Sequence, residues 1–511
     1  MEVVEQTSRC WVFGDGVSGW VGPRRARIHR SYWTHRSYIP PERRYSRTAE
    51  IAVTAALRQY PGQDSTRPMN PLDDLFEFLR FPSVSADSQF KDSVDACADW
   101  LARRFQKAGL EAEKFRTPGS PLIMARNEAK PGRKTLLIYG HYDVQPPDPL
   151  ELWESPPFEP AVRADRIFAR GSTDNKGQIL AHILGTEATI REHGDLPLNV
   201  IFLVEGEEET GSIHLEGFLR EHQSELQSDV VVVSDTGMVA PGVPTFTYGL
   251  RGILCLEIRL RGPAADLHSG IFGGSVANPA TVLSQVIASI HDNSGKITIP
   301  GFYDRVKTIE PWEKELWAKL PFDDEGWLAT TGSPTLVGEE GYTTLERVWA
   351  RPTAEVNGFA SGYQGEGPKT IVPSKAVAKL SFRLVPDQDP GELRGVITDF
   401  IRSHCPNSVR FEIIYQHEGK PYLVKPDSLF AQAAQRALKK TFDKPVAFIR
   451  EGGSVPITQS FKDVLHIDTL LLGLALPDAK VHSPNENFPV ANFLAGIRLN
   501  QYLVQEIAEA G

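Results

Sequence analysis

The chain has 511 residues, of which 41% are hydrophobic and 23% are charged, and its formal net charge is −10. This modest acidic charge argues against a nucleic-acid binder, which needs clustered Lys and Arg to replace counterions on phosphates. No stretch approaches the roughly 18 consecutive apolar residues that span a bilayer, so a membrane-embedded protein is also excluded. The length exceeds what one compact core usually holds, and we expect two domains.

The first 68 residues differ in composition from the rest of the chain. They are rich in Arg, contain no Lys and show little apolar periodicity. Their acidic residues do not fit an organelle leader, and they lack the apolar region of a secretory signal. We predict that residues 1–68 are an extension with no fold of its own, and that the natural start is Met69.

The cysteines indicate the redox environment. Cys10, Cys97, Cys255 and Cys405 lie far apart, and none of them belongs to a CxxC pair. Neither a disulfide scaffold nor a thiolate zinc site is therefore indicated. We expect reduced thiols and a cytoplasmic protein.

The region from Pro71 to about residue 244 has the pattern of an α/β domain. Apolar residues recur at helical spacing between Pro71 and Gly109, which predicts two amphipathic helices. Apolar runs without alternation then follow, separated by segments that can hold a helix, and this pattern is typical of a parallel sheet buried on both faces. The runs are Leu122–Met124, Thr135–Tyr139, Val200–Val204 and Val230–Val233.

The pattern changes in the middle of the chain and returns near its end. Leu254–Leu260 and Ala376–Leu384 alternate polar and apolar residues, as half-exposed antiparallel strands do. Residues 293–360 between them show no clear pattern of regular structure, whereas apolar runs and helical spacing return after Pro426. We predict an α/β fold with a central mixed, mostly parallel sheet and an inserted α+β domain. The predicted boundaries are 69–244 and 421–511 for the first domain and 245–420 for the insertion.

Acidic residues and histidines follow the apolar runs, where the carboxyl ends of parallel strands form a ligand-binding crevice. The clustered glutamates after Val204 are unfavourable unless cations neutralise them. Nitrogen and oxygen ligands without thiolate suit zinc, manganese or cobalt. The candidate residues are His141 and Asp143, Asp174, Glu205 and Glu207 to Glu209, Asp235 and His482.

Other readings explain fewer of these residues. Asp174 precedes a predicted helix and could serve only as its cap. No GxSxG nucleophile elbow is present, and a glycosidase with two carboxylates would leave the histidines without a role. Metal-assisted hydrolysis uses all of the candidate residues.

The motifs GHYDVQP, GSTDNKG, EGEEETGS, VVVSD, DLHSGIFGG, SFRLVP, REGGSVP and VHSPNE occur in this order from about residue 70 to the end. Together they resemble the carnosinase-like dipeptidases of the aminoacylase and carboxypeptidase G metallopeptidase family. The resemblance implies a zinc-peptidase-like catalytic domain and an inserted lid domain that also forms a homodimer. It further implies two divalent ions per subunit, with zinc expected and manganese or cobalt as alternatives.

The resemblance also implies roles for the metal-centre residues. His141 and Asp235 would hold one ion, Glu209 and His482 would hold the other, and Asp174 would bridge both. Glu208 would be the general base for a hydroxide shared by the ions, and Asp143 would orient His141. One departure is Asn175, where the family often has Asp; this residue is not expected to bind metal.

Residues of the insertion and of the GGSVP motif would bind the substrate. By the same resemblance, His268 would reach the partner subunit's active site and stabilise the oxyanion, and Arg383 would hold the substrate carboxylate. Thr370 and Ser454 match positions near the substrate. The expected reaction is hydrolysis of dipeptides or short peptides with a free C-terminus. The alternative is an amidohydrolase for N-acyl amino acids or succinylated diamino acids.

Overall fold

A computed structural model describes residues 70–511 of the chain. The predictions about residues 1–68 and the start at Met69 lie outside these residues. The helices expected between Pro71 and Gly109 are confirmed as Pro71–Leu79 and Lys91–Lys107. Asn70 caps the first of them by accepting a hydrogen bond from the Leu72 amide at 3.1 Å.

A nine-stranded sheet forms the centre of the larger part of the molecule. Four neighbouring strands in its middle are parallel, and antiparallel strands flank them on both sides. The apolar runs pack in this sheet with their side chains almost completely buried, as a sheet covered on both faces requires. In spatial order the strands are Glu111–Phe115, Leu122–Arg126, Asn199–Glu205, Thr135–His141, Val230–Val233, Thr469–Leu471, Thr245–Leu250 and Tyr422–Leu423, and Ala447–Glu451 also pairs with Thr245–Leu250.

Long helices pack around this large sheet. The helix Lys176–His193 is almost completely buried and packs against the closing helix Val490–Glu509. Gly194 ends the first of these helices in the left-handed conformation, with φ of +75°, which glycine adopts without strain. The remaining helices of this part are Leu215–Glu221, Leu429–Phe442 and Ile457–Ser460. A three-stranded sheet of Ala161–Arg163, Arg166–Phe168 and Asn487–Pro489 lies beside them.

A four-stranded antiparallel sheet with a separate apolar core is built from the middle of the chain. Its strands, in spatial order, are Thr353–Ser361, Lys375–Leu384, Gly252–Arg261 and Arg410–Gly419, with the helices Pro279–Ala288 and Pro390–His404 packed on it. A two-stranded ribbon pairs Leu267–His268 with Ile371–Val372, and the short helix Ser269–Phe272 follows its first strand. The predicted alternating strands are therefore confirmed.

The change from one sheet to the other occurs at Arg251. Thr245–Leu250, which the sequence analysis placed in the insertion, pairs in the large sheet, and Gly252–Arg261 pairs in the small one. Residues 293–360 are more regular than their pattern indicated. They contain the helices Pro311–Trp317, Asp324–Thr331 and Thr344–Ala350, each of which starts at a defined cap. Among residues 70–511, no helix is long and apolar enough to cross a membrane.

Candidate metal centre

The candidate ligands meet at one edge of the large sheet, because the parallel strands end there together. His141 is the last residue of its strand, Asp235 follows the strand Val230–Val233 by two residues, and Glu209 follows Glu205 by four. Asp174 comes from the loop before the helix Lys176–His193, and His482 from the loop after the strand Thr469–Leu471.

Asp174 lies between two imidazoles. Its Oδ1 is 3.0 Å from His141 Nε2, and its Oδ2 is 2.9 Å from His482 Nε2. Burial raises the pKa of Asp174, but the hydrogen bonds from both imidazoles outweigh burial and hold this pKa below its usual range. Hydrogen bonds to Asp174 and Glu209 raise the pKa of His482 to about 10. One carboxylate therefore faces both halves of the centre.

Two groups of donor atoms share Asp174. The first consists of His141, Asp174 and Asp235, and the second of Asp174, Glu209 and His482. Within each group the donor atoms lie within 4.8 Å of one another. Only nitrogen and oxygen donors are present, a set that zinc and manganese accept. The residues present thus fit two divalent cations that share one carboxylate.

Asp143 supports both His141 and the loop that carries the glutamates. The His141 Nδ1 atom lies 3.3 Å from Asp143 Oδ1 and 3.1 Å from the Asp143 carbonyl oxygen. The same buried carboxylate accepts hydrogen bonds from the amides of Glu208 and Glu209, at 3.2 and 3.1 Å, and from the Ser85 hydroxyl at 2.6 Å. Asp143 is therefore placed to orient the imidazole, as carboxylates behind metal-bound histidines do.

Glu208 and Glu209 are neighbours with different surroundings. Glu209 Oε2 accepts a hydrogen bond from Gln145 at 2.8 Å and lies 3.2 Å from His482 Nε2. The Glu208 carboxylate has no hydrogen-bond or ion-pair partner in residues 70–511. Burial raises the pKa of Glu208 well above its ordinary value, and the charges of nearby Asp235 and Asp174 add to this effect. A carboxylate that is free to take up a proton beside the ligand atoms suits general acid–base chemistry.

Asn175 is the residue at which the chain departs from the family pattern, and it belongs to neither donor group. Its amide nitrogen donates to the Ser234 carbonyl oxygen at 2.7 Å and to Asp235 Oδ1 at 3.1 Å. The second of these bonds holds Asp235 Oδ1, while Asp235 Oδ2 faces His141. Asn175 therefore supports a candidate ligand. Its place beside Asp174 in the sequence does not reveal this contact.

Glu486 has no predicted role and is completely buried. Its carboxylate accepts hydrogen bonds from the amides of Thr173 and Asp174, at 2.9 and 3.1 Å, and pairs with the buried Arg170 at 2.7 Å. Glu486 therefore holds the loop that presents Asp174. A glutamate four residues after a candidate histidine was the available signal, but the pairing with Arg170 depends on the fold.

Arg383 and Ser454 lie together, although 71 residues separate them in the chain. Arg383 Nη1 donates to Ser454 Oγ at 2.9 Å, and Ser454 Oγ donates to the Arg251 carbonyl oxygen at 2.6 Å. Burial lowers the pKa of Arg251 to about 10, and the nearby guanidinium of Arg383 adds to this effect. Neither arginine forms an ion pair within the described part of the chain. Two such guanidinium groups offer a site for an anion.

His268 and Thr370 lie together at the two-stranded ribbon, His268 in its first strand and Thr370 directly before its second. His268 pairs with Ile371, and the Thr370 carbonyl oxygen accepts a hydrogen bond from the Ser269 amide at 3.0 Å. Both residues are exposed, and within residues 70–511 no hydrogen bond or ion pair links either side chain to the candidate ligands. The chain therefore brings these two residues together without bonding either side chain to the candidate ligands.

A cavity of about 530 Å³ opens beside Asp174 and Asp235. Segments that are distant in the chain enclose it, including the helix Asp324–Thr331 of the middle region. Most of its lining is apolar, and the larger side chains are Met238, Phe322, Trp327, Leu345 and Trp349. Glu451, at the end of its strand, contributes a carboxylate to the wall.

Comparisons with known proteins agree with this arrangement. Residues 137–506 match the family described as Peptidase family M20/M25/M40. The Cys-Gly metallodipeptidase DUG1 of Candida albicans is 33% identical over 471 residues, covering 85% of this chain and 97% of that protein. The human Beta-Ala-His dipeptidase is 30% identical over 397 residues, covering 77% of this chain and 78% of that protein.

A solved structure shares the fold over nearly its whole length. The dipeptidase Dug1p of Saccharomyces cerevisiae superposes with a TM-score of 0.75 at 30% sequence identity. The match covers 90% of this chain and 98% of that chain. The expected combination of a mixed α/β sheet and a second sheet from an inserted segment is therefore confirmed.

Proposed function

The chain belongs to peptidase family M20/M25/M40, and we propose that it hydrolyses dipeptides with a free C-terminal carboxylate in a metal-dependent reaction. The main support is the position of Asp174 between His141 and His482, with the unpaired Glu208 carboxylate beside them. Two of its relatives are a Cys-Gly metallodipeptidase and a Beta-Ala-His dipeptidase, which supports dipeptides as the substrate class.

We assign two divalent ions, zinc in the first instance, to the two donor groups. His141 and Asp235 would hold one ion, Glu209 and His482 the other, and Asp174 would contact both. Bound ions of this kind polarise a carbonyl group and make a water molecule more acidic. The Asn175 and Glu486 contacts keep Asp235 and Asp174 in place for this task.

Glu208 carries the proton in the proposed reaction. Its carboxylate takes a proton from the attacking water and delivers it to the nitrogen of the scissile bond, so that the leaving group departs as a neutral amine when the C–N bond breaks. The absence of a side-chain partner for Glu208 in the described residues supports this role. A cationic partner would stabilise the charged carboxylate and make it less able to take up a proton. Glu209, bonded to Gln145 and close to His482, is instead suited to hold an ion.

Arg383 recognises the free carboxylate of the substrate in this proposal. A planar guanidinium binds a carboxylate with two parallel hydrogen bonds, and Ser454 fixes one edge of the Arg383 group at 2.9 Å. His268 and Thr370 act in trans, from the ribbon of a partner subunit in a homodimer formed through the inserted domain. Their exposure, and the exposed Ile271 and Phe272 beside them, support this assignment.

The chain is divided into two domains, and its thiols bear on the cellular compartment. We propose that the insertion is a lid and dimerisation domain and that residues 69–244 and 421–511 form the catalytic domain, to which we now add the strand Thr245–Leu250 because it pairs in the large sheet. The separate apolar core of the small sheet supports this division. The free thiols of Cys97, Cys255 and Cys405 support a reducing compartment, and we propose the cytoplasm.

A substrate panel tests the function. The purified chain is incubated with zinc or manganese and with dipeptides, N-acyl amino acids and succinylated diamino acids, and the released amino acids are measured. We expect turnover of dipeptides, which stops when a chelator removes the metal and returns when metal is added. Turnover of the acylated compounds without any cleavage of dipeptides would contradict the proposal and establish the amidohydrolase instead.

A further inference from the structure

The cavity beside the metal centre contains a carboxylate to which the proposed mechanism gives no task. Glu451 Oε1 accepts a hydrogen bond from the Gly237 amide at 2.8 Å. Gly237 follows the candidate ligand Asp235 by two residues, so Glu451 lies close to the centre. No Lys, Arg or His side chain in residues 70–511 pairs with the Glu451 carboxylate.

An unpaired carboxylate in an apolar wall is unfavourable, because burial removes water from its charge. Burial raises the pKa of Glu451 to about 7, and the nearby charge of Asp235 adds to this effect. A cation from outside the chain that enters the cavity would provide the missing partner. The apolar side chains around it indicate that this cation is attached to an apolar group.

We propose that Glu451 binds the free ammonium group of the substrate's N-terminal residue and that the apolar cavity holds the side chain of that residue. This inference rests on the proposed function, and it defines the substrate more closely as an unblocked dipeptide. It also separates the enzyme from amidohydrolases of acylated amino acids, whose substrates have no ammonium group at this position.

One short segment connects Glu451 to the residue that contacts Arg383. Glu451 and Ser454 are separated by two glycines, and Ser454 accepts a hydrogen bond from Arg383 at 2.9 Å. Three extended residues span at most about 10 Å. The proposed partner of the ammonium group and a contact of the proposed partner of the carboxylate therefore lie on the same short stretch of chain.

The test compares alanyl-alanine with propionyl-alanine, which differ only in the amino group. The wild-type chain and Glu451→Gln are measured with metal present. We expect the variant to lose about 10- to 100-fold in kcat/KM for alanyl-alanine, the range of a hydrogen bond between charged groups. The slow hydrolysis of propionyl-alanine and the metal content should stay unchanged. Glu451→Asp, which keeps the charge, should retain a preference for the free amine.

Glu325→Gln provides the matched control. This exposed carboxylate lies on the helix Asp324–Thr331 beside the cavity but does not line it, so the variant should keep wild-type activity on both substrates. Equal losses on both substrates in Glu451→Gln, or no loss on either, would overturn the assignment of Glu451 while wild-type dipeptide turnover upheld the proposed function. Wild-type turnover of propionyl-alanine alone would overturn both.

Discussion

The large sheet and the ribbon of the small one present their functional residues in different ways. At the edge of the large sheet, the candidate ligands contact one another and are held from behind by Asp143, Asn175 and Glu486. On the ribbon, His268 and Thr370 are exposed and contact mainly their own backbone neighbours. In our proposal, the residues of the first region hold the metal ions within one chain, and those of the second bind the substrate of a partner subunit.

Among the substitutions considered, Glu208→Gln, at the edge of the large sheet, should cause the largest loss of activity. Glutamine cannot accept the proton of the attacking water, and we expect kcat to fall by about 10²- to 10⁴-fold. Steady-state kinetics and metal analysis check this. Metal content should stay at the wild-type level, because Glu208 belongs to neither donor group.

The neighbouring Glu207 provides the control for this substitution. Its carboxylate pairs with His214 at 2.7 Å and lies outside both donor groups. Glu207→Gln should therefore keep most of the activity. Loss of metal from Glu208→Gln would show that the roles of Glu208 and Glu209 have been exchanged.

His268→Ala tests whether the ribbon acts on another subunit. Loss of a group that stabilises an oxyanion should lower kcat by about 10²- to 10³-fold. Mixing inactive His268→Ala and Glu208→Gln subunits should restore about one quarter of the wild-type activity, since half of the dimers are mixed and each has one intact site. Verified mixed dimers without activity would place His268 in the site of its own chain.

Trp327→Ala tests the helix that the middle region contributes to the cavity. The ring packs against Phe322, with centroids 5.6 Å apart, and lines the cavity. We expect kcat/KM for leucyl-glycine to fall about tenfold, because the side chain of leucine loses apolar contacts. Glycyl-glycine, which has no such side chain, should be affected less. Equal losses on both would show that the helix only supports the fold.

His182→Gln should have the smallest effect on activity, and it tests the pH dependence of stability instead. His182 is buried between Ser234 and Asn500, and burial lowers its pKa to about 4. Below about pH 6.5 the unfolded chain binds a proton that the folded chain accepts only near pH 4. As the pH is lowered from about 6.5 to about 4, the free energy of unfolding of the wild-type chain should therefore fall by about 1.4 kcal/mol per pH unit.

Denaturant unfolding of both chains between pH 7 and pH 4.5 measures this slope. Glutamine does not titrate, so stability of the variant should decline less steeply over this range. The exposed His193 at the end of the same helix provides the matched control. Parallel curves for wild type and His182→Gln would contradict the burial of a neutral imidazole in the core.

Local patterns were sufficient for much of the fold and for a list of candidate residues, whereas the choice of ligands among them came from the family resemblance. The strand Thr135–His141 and the helix Lys91–Lys107 follow from short-range periodicity, because burial on one or both faces directly selects apolar residues. Position after an apolar run or before a helix made His141, Asp174, Glu209, Asp235 and His482 candidates, and the family resemblance separated them from the other candidates. Their mutual approach agrees with that prediction, and their metal-binding roles stay predictions until metal is measured.

Only the tertiary structure decided which distant groups meet. The helices of residues 311–350 are short, and it is their packing that brings Trp327 to the cavity beside Asp235. Glu451, Asn175 and Glu486 lie within the motifs REGGSVP, GSTDNKG and VHSPNE, but the motifs do not show which backbone amides and side chains these residues reach. Short-range preferences determine where a strand ends, but the position of a charge relative to a residue 200 places away depends on how the whole chain packs.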